Sequence, residues 1–326
     1  MSAAPGHVVA EPAGGPLRAS ESPLQQAWRM LRRDRLAMAG LAVLALLAVA
    51  AGAGKVLTEW YVVFDPAAVR LPEKLRAPLS VADAERVAPE DLPALGIYLL
   101  GTDELGRDVF ARMLQGSFVS LSIGFVAVGI SVAIGILIGG LSGYYGNVKL
   151  GFITVDTLLM RFTDVMLSFP TFFLILTVVA LLPPSIYNIM IVIGVTSWMG
   201  TARLVRGEFL SLREQDFVVA AQALGLPERR IIFRHMVPNA IAPVLVSATI
   251  GVASAILTES ALSFLGFGVQ PPDATWGNIL ADGRSFIFDA PWLFFVPGAA
   301  ILVVVLAFNL LGEGLREALN PKLRSR

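Results

Sequence analysis

The sequence predicts an all-α polytopic membrane protein with six transmembrane helices. Of its 326 residues, 56% are hydrophobic and 15% are charged, whereas soluble domains carry roughly 25% charged residues. The mean hydropathy is +0.71, and five long stretches of the chain contain no charged residue. Together these observations exclude a soluble enzyme and indicate a chain that crosses a bilayer repeatedly.

The uncharged stretches account for the spans in chain order. They cover residues 36–54, 113–148, 165–202, 235–258 and 290–312. The first has 19 residues, so as a helix it measures about 28 Å, close to the roughly 30 Å of a hydrocarbon core. Pro183-Pro184 divides the third stretch, and because proline ends a helix, its two halves are predicted as separate spans. With the second stretch crossing once, the total is six.

The distribution of Lys and Arg predicts the orientation of these spans. With the N-terminus in the cytoplasm, sixteen Lys and Arg residues of the connecting segments lie inside and eight outside, seven of them in one long loop. A cytoplasmic excess of positive charge is the usual pattern. If the second stretch crossed twice, the arginines of residues 203–234 would lie outside. We therefore expect both termini in the cytoplasm.

The chain divides into a tail and one membrane domain. Residues 1–28 are rich in Ala, Gly, Pro and Ser and are predicted to form a disordered cytoplasmic tail. The transmembrane domain covers residues 29–326, with an external loop at 56–112 and a cytoplasmic loop at 203–238. Arg32-Arg33 before the first apolar stretch imitates a secretory signal, but that stretch is longer than the apolar core of such a signal.

The 203–238 loop carries helix signals at both of its ends. Asp216 is a good N-cap for a helix at residues 217–224, and Gly225 supplies a left-handed C-cap. Pro227 suits the first turn of a second short helix, although Leu226 is a poor N-cap for it. The pattern predicts two helices around a sharp glycine turn, projecting as a rigid unit. An amphipathic hairpin lying in the membrane interface is the alternative.

One motif in this loop resembles a known family. Ala220-Ala221-Gln222-Ala223-Leu224-Gly225, followed thirteen residues after the glycine by Pro238, is similar to the EAA loop of bacterial ABC-importer permeases. Val219 replaces the Glu of that signature, His235 its Ile and Val237 its Leu. The resemblance implies a type I ABC-importer permease architecture in which this loop docks on a separate ATPase subunit. The coupling residues that it implies are Asp216, Ala220, Ala221, Gly225, Pro227 and Pro238.

Further motifs resemble the C-type subunit of dipeptide and oligopeptide permeases. They are Gly101-Thr102-Asp103-Glu104-Leu105-Gly106-Arg107-Asp108, Met160-Arg161 with Asp164, Phe169-Pro170, Leu262-Ser263-Phe264-Leu265-Gly266-Phe267-Gly268 and Thr275-Trp276-Gly277. The resemblance implies peptide import across the bacterial inner membrane. The partners that it implies are a second permease, two ATP-binding subunits and an external substrate-binding protein. A nickel or other metal-chelate permease is the main alternative substrate class, and a stand-alone secondary transporter is a further one.

Several kinds of chemistry are missing from the sequence. The chain has no Cys and only two His, His7 and His235, which excludes disulfides, thiolate ligands and a histidine metal cluster. A net charge of zero gives no sign of a nucleic-acid partner. No P-loop, HExxH or Gly-x-Ser-x-Gly motif occurs. We expect no cofactor, no metal and no enzyme activity in this chain, so that ATP hydrolysis belongs to a partner.

Small residues recur at helical spacing in two spans. The set consists of Ala127, Ser131, Gly135, Gly139 and Gly143 in the second span, and Ser247, Gly251 and Ala255 in the fifth. Small side chains let helix backbones approach closely in lipid, so we expect helix packing at these faces, with a moving gate as the alternative. Pro170 and Pro297 are expected to kink or end helices.

Glu259 is the ionisable residue of greatest interest within the spans. It lies where the fifth span ends, and the uncharged residues 260–272 after it are too few to cross a bilayer. We therefore expect Glu259 at the external mouth or facing a wet cavity, either as a structural carboxylate or as part of the translocation path. Arg161 and Asp164, three residues apart, are expected to pair with each other.

Overall fold

The computed structural model describes residues 28–85, 87 and 92–319. Apart from Trp28, the predicted tail therefore lies outside the described residues. The helices have the following bounds: α1, Arg35–Lys55; α2, Val109–Tyr144; α3, Val155–Ser168; α4, Thr171–Leu181; α5, Ile186–Thr196; α6, Met199–Arg213; α7, Asp216–Ala223; α8, Glu228–Phe264; α9, Trp276–Gly283; α10, Trp292–Leu319. A π-helical turn, Val56–Trp60, extends α1.

Four of these helices are long and apolar enough to cross a membrane, namely α1 with its π-helical turn, α2, α8 and α10. Two bent pairs provide the others, since α3 and α4 meet at 82° and α5 and α6 meet at 42°. Counted in this way, the described chain has the six spans that the sequence predicts.

Proline explains one of the two bends. Pro170 stands directly before α4 and Phe169 caps α3, so the expectation that Pro170 interrupts a helix is confirmed. The break between α5 and α6 falls at Ser197 and Trp198, where no proline occurs. Pro297, by contrast, does not end a helix, because α10 continues through it.

Helix α2 lies at the centre of the bundle and meets α6 through its glycines. An added Cβ would lie 2.3 Å from the Ala202 carbonyl oxygen at Gly139, and 2.5 Å from Cβ of Phe209 at Gly143. At Gly135 it would lie 2.7 Å from the Thr201 side chain. No side chain fits at these distances, so the close approach of the two helices depends on glycine.

Two short hairpins and two 3-10 turns, Leu71–Glu73 and Arg284–Phe286, are also present in the described structure. Strand β1 (Ser80–Val81) pairs with β2 (Ile97–Tyr98), and β3 (Lys149–Leu150) pairs with β4 (Ile153–Thr154), both antiparallel. The first hairpin and the 3-10 turn Leu71–Glu73 lie in the predicted 56–112 loop. We call the end of the molecule that carries this loop the cap end. The opposite end, which carries the 203–238 loop, is the loop end.

Two local expectations are corrected by the structure. Asp164 pairs with Arg203, Oδ1 to Nη2 at 2.5 Å, and not with Arg161. The bend at Pro170 lays α3 across the start of α6, so a partner from another helix reaches Asp164. The second span begins at Val109, four residues before the predicted start, because Asp108 caps the helix there, and the charged Arg112 is buried in its first turn.

Candidate functional site

Helix α7 of the 203–238 loop is held against the bundle by one face. Val218 and Ala221 are buried and pack in one cluster with Val205, Phe209 and Ile231. Ala221, implied by the resemblance to be a coupling residue, therefore faces the chain's own core. Asp216 is the first helical residue and not the N-cap, since Gln215 occupies the cap position.

The turn after α7 has the geometry that the glycine predicts. Gly225 has a φ of +71°, its N–H donates to the Gln222 carbonyl at 2.9 Å, and the Leu226 N–H donates to the Ala221 carbonyl at 3.2 Å. This pair of hydrogen bonds is the Schellman motif. Nothing lies within 4 Å of an added Cβ, so the backbone conformation and not lack of space favours glycine here.

The second helix of the loop is longer than predicted. It is the beginning of α8, which runs without a break from Glu228 to Phe264. Its early part, Ile231–Met236, is π-helical and ends just before Pro238, whose missing N–H and bulky ring disturb the ordinary helical hydrogen bonds. Pro227 occupies the N-cap position of this helix and not its first turn.

The end of α2 holds both sides of the loop. The hydroxyl of Tyr145 donates to Oε2 of Glu228 at 2.8 Å, and Nη1 of Arg213 donates to the Tyr144 carbonyl at 3.3 Å. The hydrogen bond to Glu228, followed by burial, raises the pKa of Tyr145 above its ordinary range. The phenol therefore stays protonated and keeps donating at neutral pH.

The outer surface of the loop is apolar and exposed. Leu224 is 81% exposed and Phe233 is 69% exposed, and Phe217 and Val219 of α7 are also exposed. Large exposed apolar side chains that lie close together usually mark an interaction site. Of the residues implied by the resemblance, Asp216, Ala220, Gly225, Pro227 and Pro238 are exposed as well.

A cavity of about 280 Å³, the central groove, lies between α2, α8 and the break that joins α5 to α6. Hydroxyl groups enter it from all three sides. They belong to Ser131, Ser197, Thr201, Ser247, Ser254 and Thr258. Gly251 also lines the groove, whereas Gly135, Gly139 and Gly143 face α6.

Glu259 does not face this groove or a wet mouth, which corrects the expectation from the sequence. Its side chain is fully buried, and its Oε1 accepts from the Ser263 hydroxyl at 2.7 Å. Its Oε2 has no partner among the described residues, and no cation of the described chain pairs with it. Ala255 and Thr258 of the same helix line the groove, but Glu259 is not among its lining residues.

A lid formed by residues 265–283 covers Glu259. Thr275 and Asn278 form a capping box that starts α9, and the backbone N–H of Trp276 donates to the Ser120 hydroxyl of α2 at 3.2 Å. An added Cβ at Gly277 would lie 2.7 Å from Cα of Ser260. The Thr275-Trp276-Gly277 motif thus fits a helix tightly over the end of α8.

The motif of residues 101–108 joins the lid through buried charges. Oδ2 of Asp103 accepts from Arg107 at 2.6 Å and from Arg112 at 2.7 Å. Both arginines also reach Asp282 at the end of α9, at 3.5 Å and 3.0 Å. Asp108 caps α2, and burial raises the pKa of its carboxyl. The motif predicts the local bonds, but nothing in its spacing predicts Asp282 as a partner.

The structure is that of a polytopic helical membrane protein, and comparison with known proteins identifies the family. Residues 132–325 match the model for the inner membrane component of binding-protein-dependent transport systems, and residues 22–78 match that for the N-terminal TM domain of oligopeptide transport permease C. The chain therefore belongs to the family of binding-protein-dependent transport system inner membrane components.

Individual relatives agree with this assignment. The chain is 39% identical over 305 residues to the dipeptide transport system permease protein DppC of Alkalihalophilus pseudofirmus, covering 93% of this chain and 91% of the relative. It is 42% identical over 229 residues to the oligopeptide transport system permease protein OppC of Haemophilus influenzae, covering 70% and 72%. The fold is similar to that of an inward-facing methionine ABC transporter, MetNI, with a TM-score of 0.50 and 17% identity, covering 65% and 98%.

Proposed function

We propose that this chain is one of two permease subunits of an ATP-driven importer of dipeptides or oligopeptides in a bacterial inner membrane. Relatives named as dipeptide and oligopeptide permeases support the substrate class. Two ATP-binding subunits, a second permease and an external substrate-binding protein complete the assembly. The 203–238 loop and both termini lie in the cytoplasm, as the excess of positive charge in these segments suggests.

The exposed apolar surface of the 203–238 loop carries this proposal. Leu224 and Phe233 project from the loop end, where an ATPase subunit meets a permease of this family. Burial of such side chains contributes about 1.5–3 kcal/mol each to association. An ATPase cleft is therefore the occupant that we assign to this surface, with Ala220 and Val219 completing it.

Motion of the loop reaches the groove through rigid connections. Helix α7 is fixed to α6 by Val218 and Ala221, and α8 is continuous from the loop to the groove-lining residues Ser247 and Ser254. Closure of an ATPase pair would displace α7 and the start of α8 together. The groove would then open to opposite sides of the membrane in turn, as semi-rigid bodies shift against each other.

Charge substitutions on the apolar surface test the coupling. Leu224→Asp and Phe233→Asp place a carboxylate in the proposed interface, and we expect loss of ATPase co-purification and at least a tenfold fall in peptide uptake. Leu71→Asp is the matched control, since Leu71 is 60% exposed at the cap end, and it should leave ATPase binding unchanged. Normal co-purification and uptake in both loop variants would overturn the assignment.

Uptake assays test the substrate class separately. The assembled transporter in proteoliposomes with ATP should accumulate labelled dipeptide, and unlabelled dipeptide should compete. Accumulation of a labelled nickel chelate, with no uptake of any peptide, would favour the metal-chelate alternative. Uptake driven by an ion gradient without ATPase subunits would instead support a secondary transporter.

A further inference from the structure

We propose that the central groove is this chain's share of the peptide path, and that its uncharged hydroxyl groups contact the peptide main chain without selecting for side-chain charge. The inference rests on the proposed function and gives that function a site. In this proposal the path is lined by neutral residues. Glu259 does not line it, because its side chain is buried beneath the lid.

Two residues of the groove are largely buried, yet their hydroxyl groups form no hydrogen bond within the described chain. Ser131 and Thr201 are each only 6% exposed and line the cavity. Within the part of the chain that the structure describes, neither hydroxyl has a hydrogen-bond partner. Neither oxygen atom is among the fully buried polar atoms without a partner, so both hydroxyls reach the cavity and can bond to a polar ligand there.

Hydroxyl groups elsewhere in the spans behave differently. Thr177, Thr196 and Thr249 each donate to the carbonyl oxygen four residues earlier, at 2.7–2.8 Å, and Thr258 in the groove does the same. This is the ordinary way in which a membrane helix satisfies a hydroxyl. Ser131 and Thr201 depart from it at the place where α2 faces the break between α5 and α6.

The chemistry of the lining fits a peptide backbone. A hydroxyl both donates and accepts hydrogen bonds, so it can contact the N–H and the C=O groups that every peptide contains. Ser247 and Ser254 of α8 bring further hydroxyls to the groove opposite Ser131. Contacts of this kind are the same for all peptide sequences.

The lining carries no charged side chain. A fixed charge 4 Å from a charged substrate interacts by about 4 kcal/mol at an effective dielectric constant of 20, enough to trap one class of peptide and repel another. The nearest charges along the chain are turned away, since Glu259 is beneath the lid and Arg203 pairs with Asp164. Acidic, neutral and basic peptides therefore meet the same surface.

Single cysteines test whether substrate enters the groove, because the chain contains no native Cys. Ser131→Cys and Ser254→Cys, in the assembled transporter, should react with a water-soluble maleimide, and a transported dipeptide should slow the reaction at least fivefold. The control is Thr249→Cys, in the separate apolar groove between α1, α2, α8 and α10, where dipeptide should have no effect. Reaction rates that dipeptide leaves unchanged at both groove cysteines would overturn the inference.

A charge series tests the lack of selectivity. Ser131→Asn should keep the relative uptake rates of acidic, neutral and basic dipeptides. Ser131→Asp should lower uptake of the acidic dipeptide at least tenfold relative to the basic one. Ser254→Asp, at an exposed position of the same groove, serves if the first variant does not assemble.

The two proposals fail in distinguishable ways. If the unaltered transporter accumulates no peptide, the proposed function is wrong. If it accumulates peptide but the aspartate variants show an unchanged ratio of acidic to basic uptake, only the assignment of the groove is wrong.

Discussion

Arg206 and Asp156 form a two-point ion pair that joins α6 to the first turn of α3. Nε of the arginine donates to Oδ1 at 2.5 Å and Nη2 donates to Oδ2 at 2.6 Å. The Ser142 hydroxyl of α2 donates to the same Oδ1. Three helices therefore meet at one carboxylate, at the beginning of the 203–238 loop.

Replacing Arg206 by lysine should lower the stability of the protein. Arg206→Lys keeps the charge but removes the two-point geometry, and we expect a cost of about 1 kcal/mol, seen as a lower unfolding temperature of the purified complex. Arg203→Lys is the control, because Arg203 and Asp164 are each about half exposed and exposed pairs contribute little. Equal shifts in the two variants would contradict the distinction.

The glycines of α2 give a prediction with a control on the same helix. Gly139→Ala places a Cβ 2.3 Å from the Ala202 carbonyl, so α2 and α6 must separate, and we expect a loss of about 1–3 kcal/mol. Gly129→Ala meets nothing within 4 Å and should be neutral or slightly stabilising, since alanine favours helix. Thermal unfolding of both variants measures the difference. Equal stability of the two would show that the helices are not in close contact.

The buried charges of the cap end predict that one substitution severely impairs assembly and that a neighbouring one does not. Asp103→Asn leaves Arg112 with Asp282 as its remaining carboxylate partner among the described residues, and breaking a buried pair costs about 3–5 kcal/mol. We expect little assembled protein at 37 °C. Glu104, its neighbour, lies at the surface. Partial loss of hydration, followed by the nearby charges of Asp282 and Asp103, raises the pKa of its carboxyl. Glu104→Gln removes that repulsion and should assemble normally; assembly yields that fell equally would contradict the account.

Because Glu259 is buried, we expect different outcomes when it is replaced by glutamine and when it is replaced by alanine. Glu259→Gln keeps an acceptor for Ser263 and introduces no charge, so we expect peptide uptake within twofold of the unaltered protein. Glu259→Ala leaves a cavity under the lid and an unpaired Ser263 hydroxyl, and should cost about 2–4 kcal/mol. Loss of uptake in the glutamine variant with unchanged assembly would give the carboxyl a role in transport.

The sequence predicts features that depend on local chemistry. Gly225 adopts the left-handed conformation because its neighbours end a helix there, and Pro170 interrupts the third span because proline cannot continue a helix. Both follow from residues close together in the chain. The number of spans follows in the same way from the length of the uncharged stretches.

Features that depend on contacts between distant segments of the chain cannot be predicted from the sequence pattern. Ala220 and Ala221 are neighbours separated by about 100° around a helix, and only the packing of α7 on α6 determines that Ala221 is the buried one. Glu259 is buried because residues far along the chain fold back over it as a lid. The pattern of uncharged residues predicts neither the burial of Ala221 nor that of Glu259.

The contact between Arg112 and Asp282 also has a consequence for biosynthesis. These residues are 170 positions apart, and at roughly 5–20 residues per second a ribosome needs on the order of 10–30 s to add the second after the first. During that interval Asp103 is the acceptor already available to Arg112. The cap end is thus completed near the end of translation, after the five spans that precede α9 have been synthesised.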